Sequence, residues 1–121
     1  MANLDQLFQQ GKKALEEGND CEALKCLLPC AEAGNAEAQA SVGFLYYMGL
    51  GIDRDLKRAI DWLLKAVEQG RGEAAHNLAT LYLTCEPELP RNPEESKKLY
   101  LKAKELGFIV APDEWYEQLK K

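Results

Sequence analysis

Apolar residues recur at three- and four-residue intervals in runs of about a dozen positions, and short polar or glycine-containing breaks separate the runs. That spacing puts the apolar side chains on one face of a helix, where strict alternation would have indicated strands. The pattern predicts two kinds of helix in alternation. First helices fall at about 3–17, 36–48 and 72–84, and second helices at about 20–33, 56–69 and 93–106. The predicted fold class is therefore all-α.

The runs repeat. A shift of 36 residues places Glu37-Ala38 on Glu73-Ala74, Leu45 on Leu81 and Tyr46 on Tyr82, and a shift of 37 then places Asp55 on Asn92, Lys65-Ala66 on Lys102-Ala103, and Gly70 on Gly107. The extra residue falls in "TCEPELPRN", whose two prolines mark a loop. A backward shift of 36 pairs Asn19 with Asp55, Ala23 with Ala59, Leu27 with Leu63 and Gly34 with Gly70. Three units follow, at about 4–34, 36–70 and 72–107, within one repeat domain spanning 1–121.

The second helices carry chemical start and stop signals. Asn19, Asp55 and Asn92 are suited to accept from unpaired first-turn amides, and Asn19 with Glu22 and Asn92 with Glu95 have capping-box spacing. Pro93 fits a first helical position, and Gly34, Gly70 and Gly107 fit the left-handed ends. The tail "APDEWYEQLKK" predicts a short capping helix at about 112–120, with Trp115 and Leu119 four apart.

Gly49-Leu50-Gly51 raises the question of a phosphate loop. Such a loop follows a strand and opens a helix whose amides face the anion. Here the glycines follow a helical run, and Asp55 would repel a phosphate. The expectation is a sharp turn, with Leu50 or Ile52 packed between helices.

The stretch "AEAQASVGFLYYMGLGIDRDLKRAIDWLLKAVEQG", residues 36–70, resembles a Sel1-like repeat nearly end to end. Gly43, Tyr46, Gly49, Gly51, Asp55, Ala59, Trp62, Lys65, Ala66 and Gly70 stand at that family's pattern positions, with Val42 and Arg58 as departures. Residues 73–107 resemble a diverged copy, in which Ala79 replaces a glycine. The first unit is similar to the related tetratricopeptide pattern through Gly11, Ala14, Gly18, Ala23, Leu27 and Cys30. The resemblance implies a right-handed α-α superhelix, a solenoid of three helix-turn-helix repeats plus the capping helix, with the first helices lining a concave groove. Small residues at Gly43, Ala59, Ala66, Ala79 and Ala103 would let helices approach closely, and Tyr46, Trp62 and Tyr82 are expected in the packing between them.

Composition narrows the function. With 46% hydrophobic and 29% charged residues the chain is that of an ordinary globular protein, and a net charge of -5 disfavours non-specific binding to nucleic acid. No apolar run reaches the roughly 20 residues of a membrane span, and the N-terminus lacks a secretory signal, so a cytoplasmic location is expected. Cys26 and Cys30 are one helical turn apart, but further ligands and a Cys-x-x-Cys pair are missing. Cys21, Cys26, Cys30 and Cys85 are expected as reduced, buried small hydrophobes, without metal or other cofactor.

No catalytic constellation is evident. His76 is the single histidine, no serine or cysteine is set beside it by spacing, and neither Ser41 nor Ser96 is followed three residues later by lysine. The resemblance assigns groove positions to Asp5, Phe8, Lys12 and Leu15, to Glu37, Ala40, Phe44 and Tyr47, and to Glu73, His76, Thr80 and Leu83. Phe44 and Tyr47 are the anchors expected for a peptide or protein partner. The expected function is a non-catalytic bacterial adaptor, monomeric or weakly self-associating. A bacterial immunity protein sequestering one toxin is the alternative, ahead of a hydrolase or a self-associating structural protein.

Overall fold

The computed structural model describes residues 3–83 and 90–108. Six α-helices lie in chain order: α1 (Leu4–Glu16), α2 (Asp20–Glu32), α3 (Ala36–Met48), α4 (Leu56–Glu68), α5 (Gly72–Leu83) and α6 (Pro93–Glu105). Strands are absent among the described residues. The proposed capping helix, with Trp115 and Leu119, lies outside the described residues, as do Cys85 and most of the "TCEPELP" loop.

Helix ends follow from the caps. Side-chain oxygens of Asn19, Asp55 and Asn92 accept from the amides of Glu22, Arg58 and Glu95 at 3.3, 3.1 and 3.1 Å. Asn3 and Asn35 cap α1 and α3 in similar fashion, beyond the caps expected from sequence. The reciprocal half of each capping box is replaced by another bond. The amide of Asn19 donates to Ala14 O at 2.8 Å and that of Asn92 to Tyr82 O at 2.7 Å, so neither needs a glutamate. The breaks at Gly34, Gly70 and Gly107 have φ of 102°, 90° and 88°, as expected.

The helices pair as α1/α2, α3/α4 and α5/α6, and successive hairpins stack through α2/α3 and α4/α5. Stacking produces two adjoining cores. One gathers Leu27, Val42, Leu45, Tyr46 and Ala59, and the other Leu63, Ala66, Leu78, Leu81, Leu99 and Ala103. Half-buried Tyr47 packs against both. Trp62 lies at the edge of the first core and Tyr82 at the edge of the second, so both aromatics serve packing as expected.

Polar groups also join the hairpins. Gln39, only 5% exposed, donates from Nε2 to Ala31 O at 3.2 Å and accepts from Gln69 Nε2 at 2.8 Å, while Gln69 Nε2 also reaches Gly34 O at 2.9 Å. The buried Gln39 amide is thereby satisfied on both sides, its nitrogen by Ala31 of the first unit and its oxygen by Gln69 of its own. The register between hairpins acquires a directional constraint that apolar contacts lack.

Candidate functional site

The Gly49-Leu50-Gly51 turn places Leu50 on the wall of a pocket. Gly49 ends α3 in the left-handed conformation, with φ 69°, and Gly51 has φ 75°. A Cβ on Gly51 would lie 2.6 Å from the Asp20 carbonyl carbon, so only glycine lets this turn press against the start of α2. Leu50 then packs on the first core, whereas Ile52 stays exposed.

Beside this turn is a pocket of about 490 Å³ lined by Leu15, Asp20, Ala40, Ser41, Phe44, Leu45, Leu50, Glu73, Asn77 and Phe108. Its size is in the range of small-ligand and side-chain-accepting clefts. Phe44 is 39% exposed despite its bulk, and its ring meets that of Tyr47 edge-on at 6.5 Å between centroids. The pocket thus draws together Ala40, Phe44 and Glu73 of the expected groove positions, along with Leu15.

Other expected positions are engaged elsewhere. The His76 ring lies 5.2 Å from Tyr100 and 5.5 Å from Phe108, and Thr80 Oγ1 is 3.1 Å from the Tyr100 hydroxyl. Both side chains therefore contact groups contributed by α6 and the residues after it. In the third unit the pocket lining comes instead from Glu73 and Asn77, four apart on α5, and Ser41 is the matching neighbour on α3. Phe108 completes the lining from beyond Gly107. Asn77 and Ser41 lie one position round from the expected stripe; on α5 the expected His76 and Thr80 contact Tyr100 instead.

On the first unit, Lys12 Nζ pairs with Glu37 at 3.5 Å and stands 5.3 Å from the centre of the Phe8 ring. Phe8 is half-buried against the first core. Glu73 accepts from Arg71 at 2.6 Å, and Leu83 is half-buried at the end of α5. Tyr47 O accepts from Arg54 Nε at 3.0 Å, and the Arg54 guanidinium lies 6.0 Å from the Tyr47 ring centre.

Titratable groups are tuned by burial. Loss of water lowers the His76 pKa from its ordinary value, so the neutral ring is favoured between its aromatic neighbours. Burial likewise pushes up the Tyr100 hydroxyl. Cys26 and Cys30 are 3% and 2% exposed, and their thiols are raised by burial, with Glu22 adding to the effect at Cys26 and Asp5 at Cys30. Cys21 departs from the expectation of burial: it is exposed, and its thiol donates to Gly51 O at 3.6 Å. Among the described residues no group of three His, Cys, Asp or Glu side chains is placed to hold a metal ion. No helix among them is long and apolar enough to cross a membrane.

Comparison with known proteins gives this geometry a context. The Sel1 repeat profile matches residues 36–70 and 72–108, together more than half of the chain. The ERAD-associated E3 ubiquitin-protein ligase component HRD3A of Arabidopsis thaliana is 36% identical over 77 residues, covering 61% of this chain and 11% of the relative. The chitin synthase regulator SKT5 of Malassezia restricta is 38% identical over 63 residues, covering 52% of this chain and 4% of the relative. The chain therefore spans only a small part of these relatives. A Sel1 repeat protein from Oxalobacter formigenes superposes with a TM-score of 0.74 at 27% identity, covering 87% of this chain and 44% of that structure. The protective antigen c5321 of uropathogenic Escherichia coli, with an SLR fold, gives a TM-score of 0.75 at 23% identity over 86% of this chain and 23% of its own.

Proposed function

Because the chain belongs to the Sel1 repeat family, we propose that it is a non-catalytic interaction scaffold that binds a peptide or protein partner in the groove centred on Phe44. The observation that carries this reading is the exposed Phe44 ring on the wall of a largely apolar pocket. Burying such a side chain in a complex contributes far more than its share of contact area, which is why aromatic anchors dominate interfaces.

The two curated relatives support a binding role, since one is named as a component of a ubiquitin-protein ligase and the other as a regulator of chitin synthase. The free thiols of Cys21, Cys26 and Cys30 fit a reducing, cytoplasmic compartment. The chain presents the groove to its partner as a monomer or a weak homo-oligomer.

Affinity capture from the source cell with wild type and Phe44→Ala tests the reading. Phe44 is the variant of choice because Tyr47 packs against both cores and its loss would disturb the fold. At matched helicity, a partner held by wild type and released by Phe44→Ala is the expected result. A partner held equally by both would move the site away from the groove.

A further inference from the structure

The charge distribution round the pocket says more about what enters it. Its lining has six apolar side chains, from Leu15, Ala40, Phe44, Leu45, Leu50 and Phe108, and two neutral polar ones, from Ser41 and Asn77. Its two charged lining residues, Asp20 of α2 and Glu73 of α5, are both acidic. Glu73 shares its charge with Arg71. Asp20 makes no ion pair among the described residues, and its backbone lies close against Gly51. The whole chain carries a net charge of -5.

An apolar floor with an acidic rim discriminates among linear segments. An acidic segment would bring like charges together in a cleft whose apolar walls weaken screening, and a purely apolar one would leave Asp20 without a counterpart, since Glu73 already has Arg71. Resting on the groove reading above, we propose that the pocket selects a basic linear segment: a bulky apolar side chain seated on Phe44 and Leu50, flanked by lysine or arginine facing Asp20 and Glu73. The anchor supplies affinity and the flanking cations supply choice of partner, so the two contributions are separable by mutation.

The test is selection of a displayed library of random linear peptides on the full chain, run in parallel on Phe44→Ala, Asp20→Asn and Glu73→Gln. The expected result is enrichment of an aliphatic or aromatic residue flanked by Lys or Arg. Synthetic peptides of that pattern should lose binding to Phe44→Ala. They should bind Asp20→Asn roughly 3- to 10-fold more weakly and weaken as salt is raised, as screened charge pairs do. Enrichment of neutral or acidic peptides that still depends on Phe44 would overturn the charge selection and leave groove binding intact. Peptides indifferent to Phe44 would overturn both.

Discussion

Gly43 and Leu63 meet without room for one more carbon: a Cβ on Gly43 would lie 2.8 Å from Leu63 Cγ and 3.2 Å from Ala59 O. This contact sets the distance between α3 and α4. Gly43→Ala is expected to lose about 1–2 kcal/mol, because overpacking outweighs the roughly 1 kcal/mol that alanine gains over glycine within a helix. Urea unfolding of Gly43→Ala, Leu63→Ala and the double variant checks it. The double variant should lose less than the two singles added together, since the new methyl would enter the space left by Leu63.

Ser96 occupies in α6 the place that Ala59 takes in α4, and its hydroxyl donates to Ala79 O at 2.7 Å with no exposure to water. Ser96→Ala should cost about 0.5–1.5 kcal/mol, the usual worth of one such bond. A larger residue is a different matter. Ser96→Val should cost more than Ser96→Ala in the same denaturation assay, because the crossing of α5 and α6 has no space for branching.

His76 predicts a pH dependence. Its pKa is lowered in the folded protein by burial, so the unfolded chain takes up a proton first as the pH falls. The stability it contributes is present above the unfolded pKa of about 6.5 and is lost as the pH drops from there toward the folded value. Urea midpoints of wild type and His76→Gln, compared at pH 7.5 and 5.5, should show a smaller drop for the variant. An equal drop would place the acid sensitivity in other groups.

The thiols should divide by accessibility. In a Cys85→Ser background, an aromatic disulfide reagent should modify exposed Cys21 promptly. Cys26 and Cys30, buried and held protonated, should react roughly 100-fold or more slowly, at a rate set by opening of the α1/α2 hairpin. Mass spectrometry after brief labelling identifies the modified residue. Prompt labelling of Cys30 would mean that α1 detaches readily, because Cys30 bonds to Leu4 O at 3.4 Å across that contact.

Helix positions were legible because caps and glycine ends are local: Asn19, Asp55, Asn92, Gly34, Gly70 and Gly107 act through bonds to residues a few positions away. The α3 side of the pocket was legible too, through the exposed Phe44. The α5 side was legible only in part, through Glu73. Whether His76 or Asn77 lines the pocket depends on Tyr100 and Phe108, more than twenty residues along the chain, and helical spacing alone cannot supply that rotation. The unformed capping boxes have a similar cause, since the amides of Asn19 and Asn92 are taken by carbonyls of the preceding helix.

Those carbonyl bonds recur in two hairpins. The Asp55 amide donates to Tyr46 O at 3.1 Å and the Asn92 amide to Tyr82 O at 2.7 Å, although the second connection is one residue longer. Each bond closes its hairpin at the base, as a clasp closes a necklace whatever the number of beads. Length in the connection between α5 and α6 is thereby uncoupled from helix pairing, which makes it a natural graft point: a foreign epitope or a protease site inserted between Tyr82 and Asn92 would be displayed without asking the helices to move. The Gly49–Gly51 connection lacks that freedom, because its glycine is wedged against α2.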